Sequence, residues 1–209
     1  MSEGVARAIV GDATRDALVR AARAILAADG PTALTVRRIA TDAGMSTMNV
    51  YSRFGGKDGV LDELFIDGFT QLGTAMAQVP DTDDPAADLV ACGLAYVEFA
   101  HTAAASYSLM FDRIVPDYNP SATARAVGRG VFDGLVERVQ RALDAGSFAG
   151  GDATTIAGGL WAQVHGLASL GTILAADPEP FADLDWAAVM RVALAAQLRG
   201  LSAAPATGS

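Results

Sequence analysis

The fold is decided by residues 35–58, which read TVRRIATDAGMSTMNVYSRFGGKD. Thr35 and Ser46 are each followed by a short helical period of apolar residues, so each can cap the start of a helix. Gly44 stands in the break between these two helices, where glycine tolerates a left-handed backbone. Gly55 then ends the second helix. Two short helices joined by a three-residue turn that contains glycine predict a helix-turn-helix.

The outward face of the second short helix carries side chains suited to close approach: Thr47, Met48, Asn49, Ser52 and Arg53. In a helix-turn-helix this second helix enters the major groove of DNA. An asparagine can bond adenine in a bidentate manner, and an arginine can reach guanine or phosphate. Threonine or methionine can touch a thymine methyl. Periodicity alone also allows a second interpretation, a helical hairpin whose polar face is only hydrated.

The charge of the chain is unevenly distributed. The 209 residues carry a net charge of −9, but residues 1–60 have a balance of +2 and residues 61–209 a balance of −11. A basic N-terminal part on an acidic body is typical of a protein that presents one face to a polyanion.

Composition excludes several classes of protein. A chain that is 51% hydrophobic and 19% charged is too apolar for a disordered protein. Its single cysteine, Cys92, excludes an intrachain disulfide framework, and two histidines make a zinc site implausible. The first residues, Met1 to Gly11, lack the pattern of an export signal. We therefore expect a cytoplasmic protein without cofactor or metal.

Enzymatic motifs are incomplete in this sequence. Gly56-Lys57 lacks the leading glycine of a phosphate-binding loop, because Tyr51 stands there. Neither a nucleophile elbow nor a metal-binding histidine pair is present, so we expect no catalytic residues and no enzyme.

Helical periodicity extends along the whole chain, and no convincing strand pattern interrupts it. We predict an all-α fold with an N-terminal three-helix helix-turn-helix head, a long joining helix and a C-terminal helical bundle, about nine helices in total. The predicted domains are residues 1–60, which bind DNA, and 61–201, which bind ligand and dimerise, followed by a disordered tail at 202–209. The helices are expected near 12–28, 36–42, 47–54, 57–79, 86–103, 105–112, 121–145, 153–176 and 184–200.

The segment Ala153 to Ala176 needs a membrane test because it contains no charged residue. Its length would span a bilayer. Gln163 and His165 lie near its middle, however, and no basic residue flanks it. We interpret it as a helix of a soluble protein that is buried on both sides.

From Arg15 through Phe65 the ordered string of residues resembles the DNA-binding domain of TetR-family transcriptional regulators. The matching residues are Leu18, Ala22, Ile25, Leu26, Gly30, Thr35, Ile39-Ala40, Ala43-Gly44-Met45-Ser46, Val50-Tyr51, Phe54, Lys57-Asp58 and Leu61. Met48-Asn49 and Gly55-Gly56 depart from the common family residues. These departures affect which operator is read, not whether the fold forms.

The resemblance implies further contacts with DNA. Tyr51 corresponds to the family tyrosine that meets a phosphate, and Lys57 to the lysine that contacts a phosphate from the start of a helix. Arg37 would reach the backbone or a base edge. Thr35 and Ser46 would serve as caps and, through backbone amides, as phosphate clamps. For Arg38, a solvated side chain is as good an interpretation as a contact with DNA.

The C-terminal part carries a weaker resemblance. Trp161-Ala-Gln-Val-His165-Gly166 and Tyr107-Ser-Leu-Met110-Phe111 are similar to segments of one group of TetR C-terminal domains, the Trp…His-Gly group. Aromatic and apolar side chains could close a pocket for a small, largely apolar ligand. Its predicted contacts are Tyr96, Phe99, Tyr107, Met110, Phe111, Trp161 and His165. Plain core packing is the alternative interpretation.

Small residues follow one another along 153–176, among them Gly158, Gly159, Ala162 and Gly166. Glycines cost helix stability, and close approach of helices across a dimer would compensate. We expect a homodimer, built from 153–176 and 184–200, that represses transcription at palindromic operator DNA and is released by a small-molecule effector. The alternative function is a helical module that binds a small molecule or a protein and has lost DNA binding.

Overall fold

A computed structural model of the chain describes residues 3–202, with the backbone alone for residues 3–12 and Pro180. Within this range the chain forms nine α-helices and two short 3-10 turns, and no strand. The helices are α1 (Glu3–Asp29), α2 (Val36–Asp42), α3 (Thr47–Phe54), α4 (Lys57–Ala77), α5 (Pro85–Thr102), α6 (Ala104–Phe111), α7 (Ala122–Asp144), α8 (Ala153–Ala176) and α9 (Trp186–Leu201). The prediction of an all-α fold is confirmed.

The start of α1 is the main error in the predicted bounds. The helix begins at Glu3, nine residues before the predicted Asp12, whereas the other bounds agree within about two residues. Residues 3–11 contain no proline, and the two glycines among them, Gly4 and Gly11, lower helix propensity without ending the helix.

Aspartates fix the starts of three long helices. The side chains of Asp84, Asp152 and Asp185 accept hydrogen bonds from backbone amides in the first turns of α5, α8 and α9. These contacts satisfy amides that have no partner within the helix. Negative charge at a helix N-terminus also interacts favourably with the helix dipole. Local chemistry therefore accounts for these bounds.

The chain divides into two compact units. The head unit contains residues up to Thr70 together with Ala104–Gly128, and the body unit contains Gln71–Ala103 and the residues from Arg129 onward. The predicted assignment of DNA binding to 1–60 and of ligand binding to 61–201 is a functional division, and it stays a prediction. Helices α4 and α7 each contribute residues to both units.

The head unit has one core, to which five helices contribute buried residues. Buried residues of α1, α2, α3 and α4 meet in it, and Leu109 of α6 joins them. From the loop that follows α6, Ile114 and Val115 pack against the same core. The buried members are Leu18, Ala22, Ile25, Leu26, Leu34, Ile39, Ala40, Val50, Val60, Leu61, Leu64 and Leu109.

The body unit is formed mainly by α5, α8 and α9, which contact one another. Leu89, Val139, Ala142, Phe148, Ala153 and Ala157 form a buried apolar cluster in it. The amide of Ala149 donates a hydrogen bond of 2.9 Å to the carbonyl of Leu201, which holds the end of α9. Ser202 is described, and the rest of the predicted tail, 203–209, lies outside the described residues.

Helix α8 is buried on one side only. Val164, Leu167 and Ala168 are buried, whereas Leu170 is 52% exposed and Ile173 is 60% exposed. The prediction that this helix is buried on both sides is therefore wrong for the single chain. Between residues 3 and 202 no single helix is long and apolar enough to span a membrane, although α5 and α6 taken together meet both requirements.

Candidate nucleic-acid interface and ligand site

The turn between α2 and α3 is fixed by its own hydrogen bonds. Thr35 caps α2, because its Oγ1 accepts from the amide of Arg38 at 3.2 Å. Gly44 adopts the expected left-handed conformation with a φ of 68°. The next amide, that of Met45, donates to the carbonyl of Ala40 at 2.8 Å. This closed turn sets the direction in which α3 leaves α2.

Helix α3 has an inner and an outer face. Val50 is fully buried in the head core and Phe54 packs against it. On the outer face, Met48 is 71% exposed and Tyr51 is 54% exposed. The ten residues predicted to contact DNA all belong to the head unit, on α2, on α3, at their caps, or at the first position of α4. Exposed among them are Thr35, Arg37, Ser46, Thr47, Met48, Tyr51 and Ser52; Asn49, Arg53 and Lys57 are half-buried.

Ser46 occupies the N-cap of α3 but does not cap it with its side chain. Its Oγ instead accepts a hydrogen bond of 3.2 Å from Nδ2 of Asn49. The Oδ1 of Asn49 in turn accepts from Nη1 of Arg53 at 3.1 Å. The expectation of a side-chain cap at Ser46 is therefore wrong, because the Asn49 amide competes for the same oxygen.

Some cations of the head unit are paired with carboxylates and others are not. Arg15 pairs with Glu63 and Arg23 pairs with Asp67. Arg38 bridges two carboxylates of its own unit. Three of the ten predicted DNA contacts are cations: Arg37, Arg53 and Lys57. None of them pairs with a carboxylate in the part of the chain whose side chains are described. Arg20, Arg113 and Arg125 also have no carboxylate partner among the residues whose side chains are described, but none of them lies on α2, on α3 or at the start of α4.

Arg38 is exposed, as a solvated side chain would be, but it also forms two ion pairs. Its Nε lies 2.7 Å from Asp42 and its Nη2 lies 3.1 Å from Asp29. The hydrogen bond with Asp42 is the main reason why the pKa of Arg38 is raised above its ordinary value. Its charge is therefore balanced within the head unit.

Four of the predicted ligand contacts lie in the body unit. Tyr96, which is 3% exposed, shares a hydrogen bond of 2.9 Å between its hydroxyl and Nδ1 of His165. Nε1 of Trp161 donates to the same hydroxyl at 3.4 Å. Phe99 is also buried, and the ring of Phe132 lies 5.8 Å from that of Trp161. The structure therefore brings Tyr96, Trp161 and His165 into one hydrogen-bonded cluster.

The other three predicted contacts belong to the head unit. Tyr107 and Met110 are buried, and the ring of Phe111 lies 5.0 Å from that of Tyr107 and 5.5 Å from that of Phe69. The sulfur of Met110 fills the space beside Gly68. The seven predicted contacts are thus distributed over two units, and their role in ligand binding stays a prediction.

The body unit contains a network of ion pairs that was not predicted from the sequence. Asp88, which is 5% exposed, pairs with Arg141 and accepts hydrogen bonds from the amide and hydroxyl of Thr82. The hydrogen bond from Arg141 is the main cause that lowers the pKa of Asp88 to about 2. The only sign of this network in the sequence is the carboxylate of Asp88 on an otherwise apolar helix, because a buried carboxylate is usually paired with a positive charge.

A second arginine holds the residues that follow α4. Nη2 of Arg138 donates to the carbonyls of Met76 and Val79, at 3.3 and 2.7 Å, while its Nη1 lies 2.8 Å from Asp81. The Met76 carbonyl also accepts from the amide of Val79 at 3.2 Å, and the arginine adds a side-chain donor to both carbonyls at the end of α4. Among the described residues there is no group of three or more side chains that could hold a metal ion.

Comparison with protein families gives two matches. Residues 18–64 match the description "Bacterial regulatory proteins, tetR family", and residues 89–197 match "Tetracyclin repressor-like, C-terminal domain". The second match covers just over half of the chain. Membership of the Trp…His-Gly group stays a prediction. A comparison with curated protein sequences gives no significant match.

Solved structures resemble the chain over most of its length. A protein of unknown function from Rhodococcus sp. RHA1 has 28% identity and a TM-score of 0.78, covering 90% of this chain and 95% of that one. A tetR-family regulatory protein from Rhodococcus RHA1 has 21% identity and a TM-score of 0.65, with coverages of 92% and 98%. The fatty acid degradation regulator FadR from Bacillus halodurans has 18% identity and a TM-score of 0.67, with coverages of 88% and 93%.

Proposed function

Because the chain belongs to the TetR family of transcriptional regulators, we propose that it is a homodimeric repressor that binds palindromic operator DNA and is released by a small, largely apolar ligand. Regulators of this family are generally DNA-binding proteins without enzymatic activity. The site of action would be the cytoplasm, where the operator is found.

The observation that carries this proposal is the pairing of charges on the head unit. Arg37 on α2, Arg53 on α3 and Lys57 at the first position of α4 have no carboxylate partner among the residues whose side chains are described. The arginines of the head unit that do have partners are balanced by Glu63, Asp67, Asp29 and Asp42. A surface that keeps its positive charges unbalanced next to an exposed recognition helix suits phosphate contacts on both sides of a groove.

Dimerisation is supported by the exposed apolar side of α8 and α9. Leu170, Ile173 and Val192 are each more than half exposed, and Ala162 and Ala196 are exposed on the same two helices. A symmetric dimer would cover these side chains. It would also let two recognition helices enter successive major grooves about 34–36 Å apart, as a palindrome requires.

Ligand binding is supported by the chemistry of the cluster around Tyr96, Trp161 and His165. Aromatic walls with few polar groups are common in small-molecule sites, and the hydroxyl–imidazole pair would orient the polar end of a ligand. A ligand shifts DNA affinity only when it binds two conformations unequally. Since α4 contributes to both units and its end is held by Arg138, we propose that α4 transmits the shift, with a coupling of about 1–3 kcal/mol.

The proposal is tested with duplexes selected by the protein from a random-sequence pool. The selected duplex should contain a palindrome, and log affinity should fall linearly with log salt concentration. Lys57→Ala should weaken binding to the selected duplex and to a base-shuffled one alike, and reduce the salt slope by about 0.9 for each phosphate that the variant leaves unneutralised. Arg20→Ala is the matched control, since it removes an exposed charge from α1. Failure to select any duplex would favour the alternative module without DNA binding.

A further inference from the structure

A row of hydrogen bonds runs along one side of α3. Ser46 accepts from the Asn49 amide nitrogen at 3.2 Å, and the Asn49 amide oxygen accepts from Arg53 at 3.1 Å. We propose that Asn49 is a positioning residue that holds Arg53 against a DNA phosphate, and that it does not read a base. This inference rests on the proposed DNA binding and assigns Asn49 a role different from the adenine contact expected from sequence.

The position of the row on the helix favours a phosphate over a base. Val50 and Phe54 define the inner face of α3, and Met48 and Ser52 lie opposite them. With 3.6 residues per turn, Asn49 and Arg53 occupy the side between these two faces. A helix is about 10–12 Å across and the major groove is about 12 Å wide. The sides of the inserted helix therefore face the phosphate backbones that wall the groove.

The side-chain amide of Asn49 already forms hydrogen bonds within α3 and its N-cap through both its nitrogen and its oxygen. Reading adenine requires an amide oxygen and an amide nitrogen that point toward the same base edge. In this structure the nitrogen points along the helix toward Ser46 and the oxygen points the other way, toward Arg53. Turning the amide outward toward a base would break both hydrogen bonds.

Arg53 has the charge and the free donors that a phosphate contact requires. Its Nη1 is occupied by Asn49 and lies 3.4 Å from the hydroxyl of Ser52. The remaining donors, on Nε and Nη2, suit a bidentate contact with phosphate oxygens. Long side chains lose rotamer freedom on binding, so an arginine that is already held at Nη1 loses less of it.

The test compares Asn49→Ala, Arg53→Ala and the double variant with the wild type. Each is titrated, over a range of salt concentrations, with the duplex that the wild type selects and with a base-shuffled duplex of equal length. Base preference is measured separately, with a set of duplexes that carry every single-base change. Arg20→Ala is the charge-matched control on α1, and thermal melts monitored by circular dichroism verify that each variant folds.

We expect Arg53→Ala to weaken binding to both duplexes by about tenfold and to lower the salt slope by about 0.9 for each head. Asn49→Ala should weaken both by about fivefold, also lower the salt slope, and leave the base preferences unchanged. In the Arg53→Ala background, Asn49→Ala should have almost no further effect, because the residue acts through Arg53.

Two results would overturn the inference. One is a loss of preference at a single base pair in Asn49→Ala with the salt slope unchanged, which would make Asn49 a base reader. The other is additive losses in the double variant. Both differ from failure of the proposed function, in which the wild type itself selects no duplex.

Discussion

The hydroxyl of Tyr118 donates a hydrogen bond to Oδ1 of Asp62, and the two oxygens lie 2.7 Å apart although the residues are 56 positions apart in the chain. The amide of Ser121 donates to the same oxygen at 3.0 Å. Burial, with a further contribution from the Asp62 hydrogen bond, raises the pKa of Tyr118 well above its ordinary value. This contact fastens the loop between α6 and α7 to α4 within the head unit.

Tyr118→Phe is expected to lower the free energy of unfolding by about 1 kcal/mol, because Asp62 loses one of two donors while the ring still packs. Denaturant unfolding followed by circular dichroism measures this difference. Wild-type stability should also fall in alkaline solution, since a raised tyrosine pKa favours the folded state only while the hydroxyl stays protonated. An unchanged midpoint in Tyr118→Phe would show that the hydrogen bond adds nothing to stability.

The low pKa of Asp88 predicts that the stability of the fold decreases as the pH is lowered. Its pKa is about 2 in the folded chain against an ordinary value of 3.8, so the unfolded chain binds the proton first as pH falls. The contribution of Asp88 to stability is therefore present above about pH 4 and is lost toward pH 2. Melting temperatures measured across this range should decline less steeply in Asp88→Asn than in the wild type. Equal slopes would contradict the assignment.

Gly59 is expected to tolerate no side chain. A Cβ at this position would overlap the backbone carbonyl of Phe54 at the end of α3, and no rotamer change can relieve that overlap. Gly59→Ala should therefore destabilise the head by several kcal/mol. Gly134→Ala is the control, since a Cβ there meets open space, and alanine should stabilise α7 by about 0.5–1 kcal/mol. Thermal unfolding of the two variants should shift in opposite directions.

A substitution at Ile173 provides a test of the proposed dimer. The wild type is expected to sediment as a dimer at micromolar concentration, and Ile173→Asp should sediment as a monomer, because it would place a charge against the apolar face of the partner copy. Asn119→Asp adds the same charge at an exposed loop position of the head unit and should leave the dimer intact. A wild type that stays monomeric in this assay would rule out assembly through α8 and α9 under these conditions.

Local chemistry made much of the fold predictable. The N-cap at Thr35, the left-handed Gly44 and the glycines after Phe54 each act within a few residues, so the sequence suffices to place α2 and α3. The Asn49–Arg53 contact was also within reach, because residues four apart share a helix face. The predicted start of α1 at Asp12 was wrong, because no proline precedes it to stop the helix.

Long-range pairing was not predictable in the same way. Asp88 and Arg141 are 53 residues apart, and Asp62 and Tyr118 are 56 apart. No periodic pattern links residues at such separations, because their meeting depends on how whole helices pack. The same reason explains why the sequence did not predict that residues 104–128 pack with the head unit.

The head unit is discontinuous in the chain, and this limits how it can be recombined. A fragment ending at residue 60 would lack five residues that complete the core of the head unit. They are Leu61 and Leu64 of α4, Leu109 of α6, and Ile114 and Val115 of the loop that follows α6. Grafting such a fragment onto the body of another regulator would expose that apolar surface unless the recipient supplied matching side chains. A chimera that also transplants residues 104–128 preserves the original packing, so the exchangeable module consists of two segments of sequence.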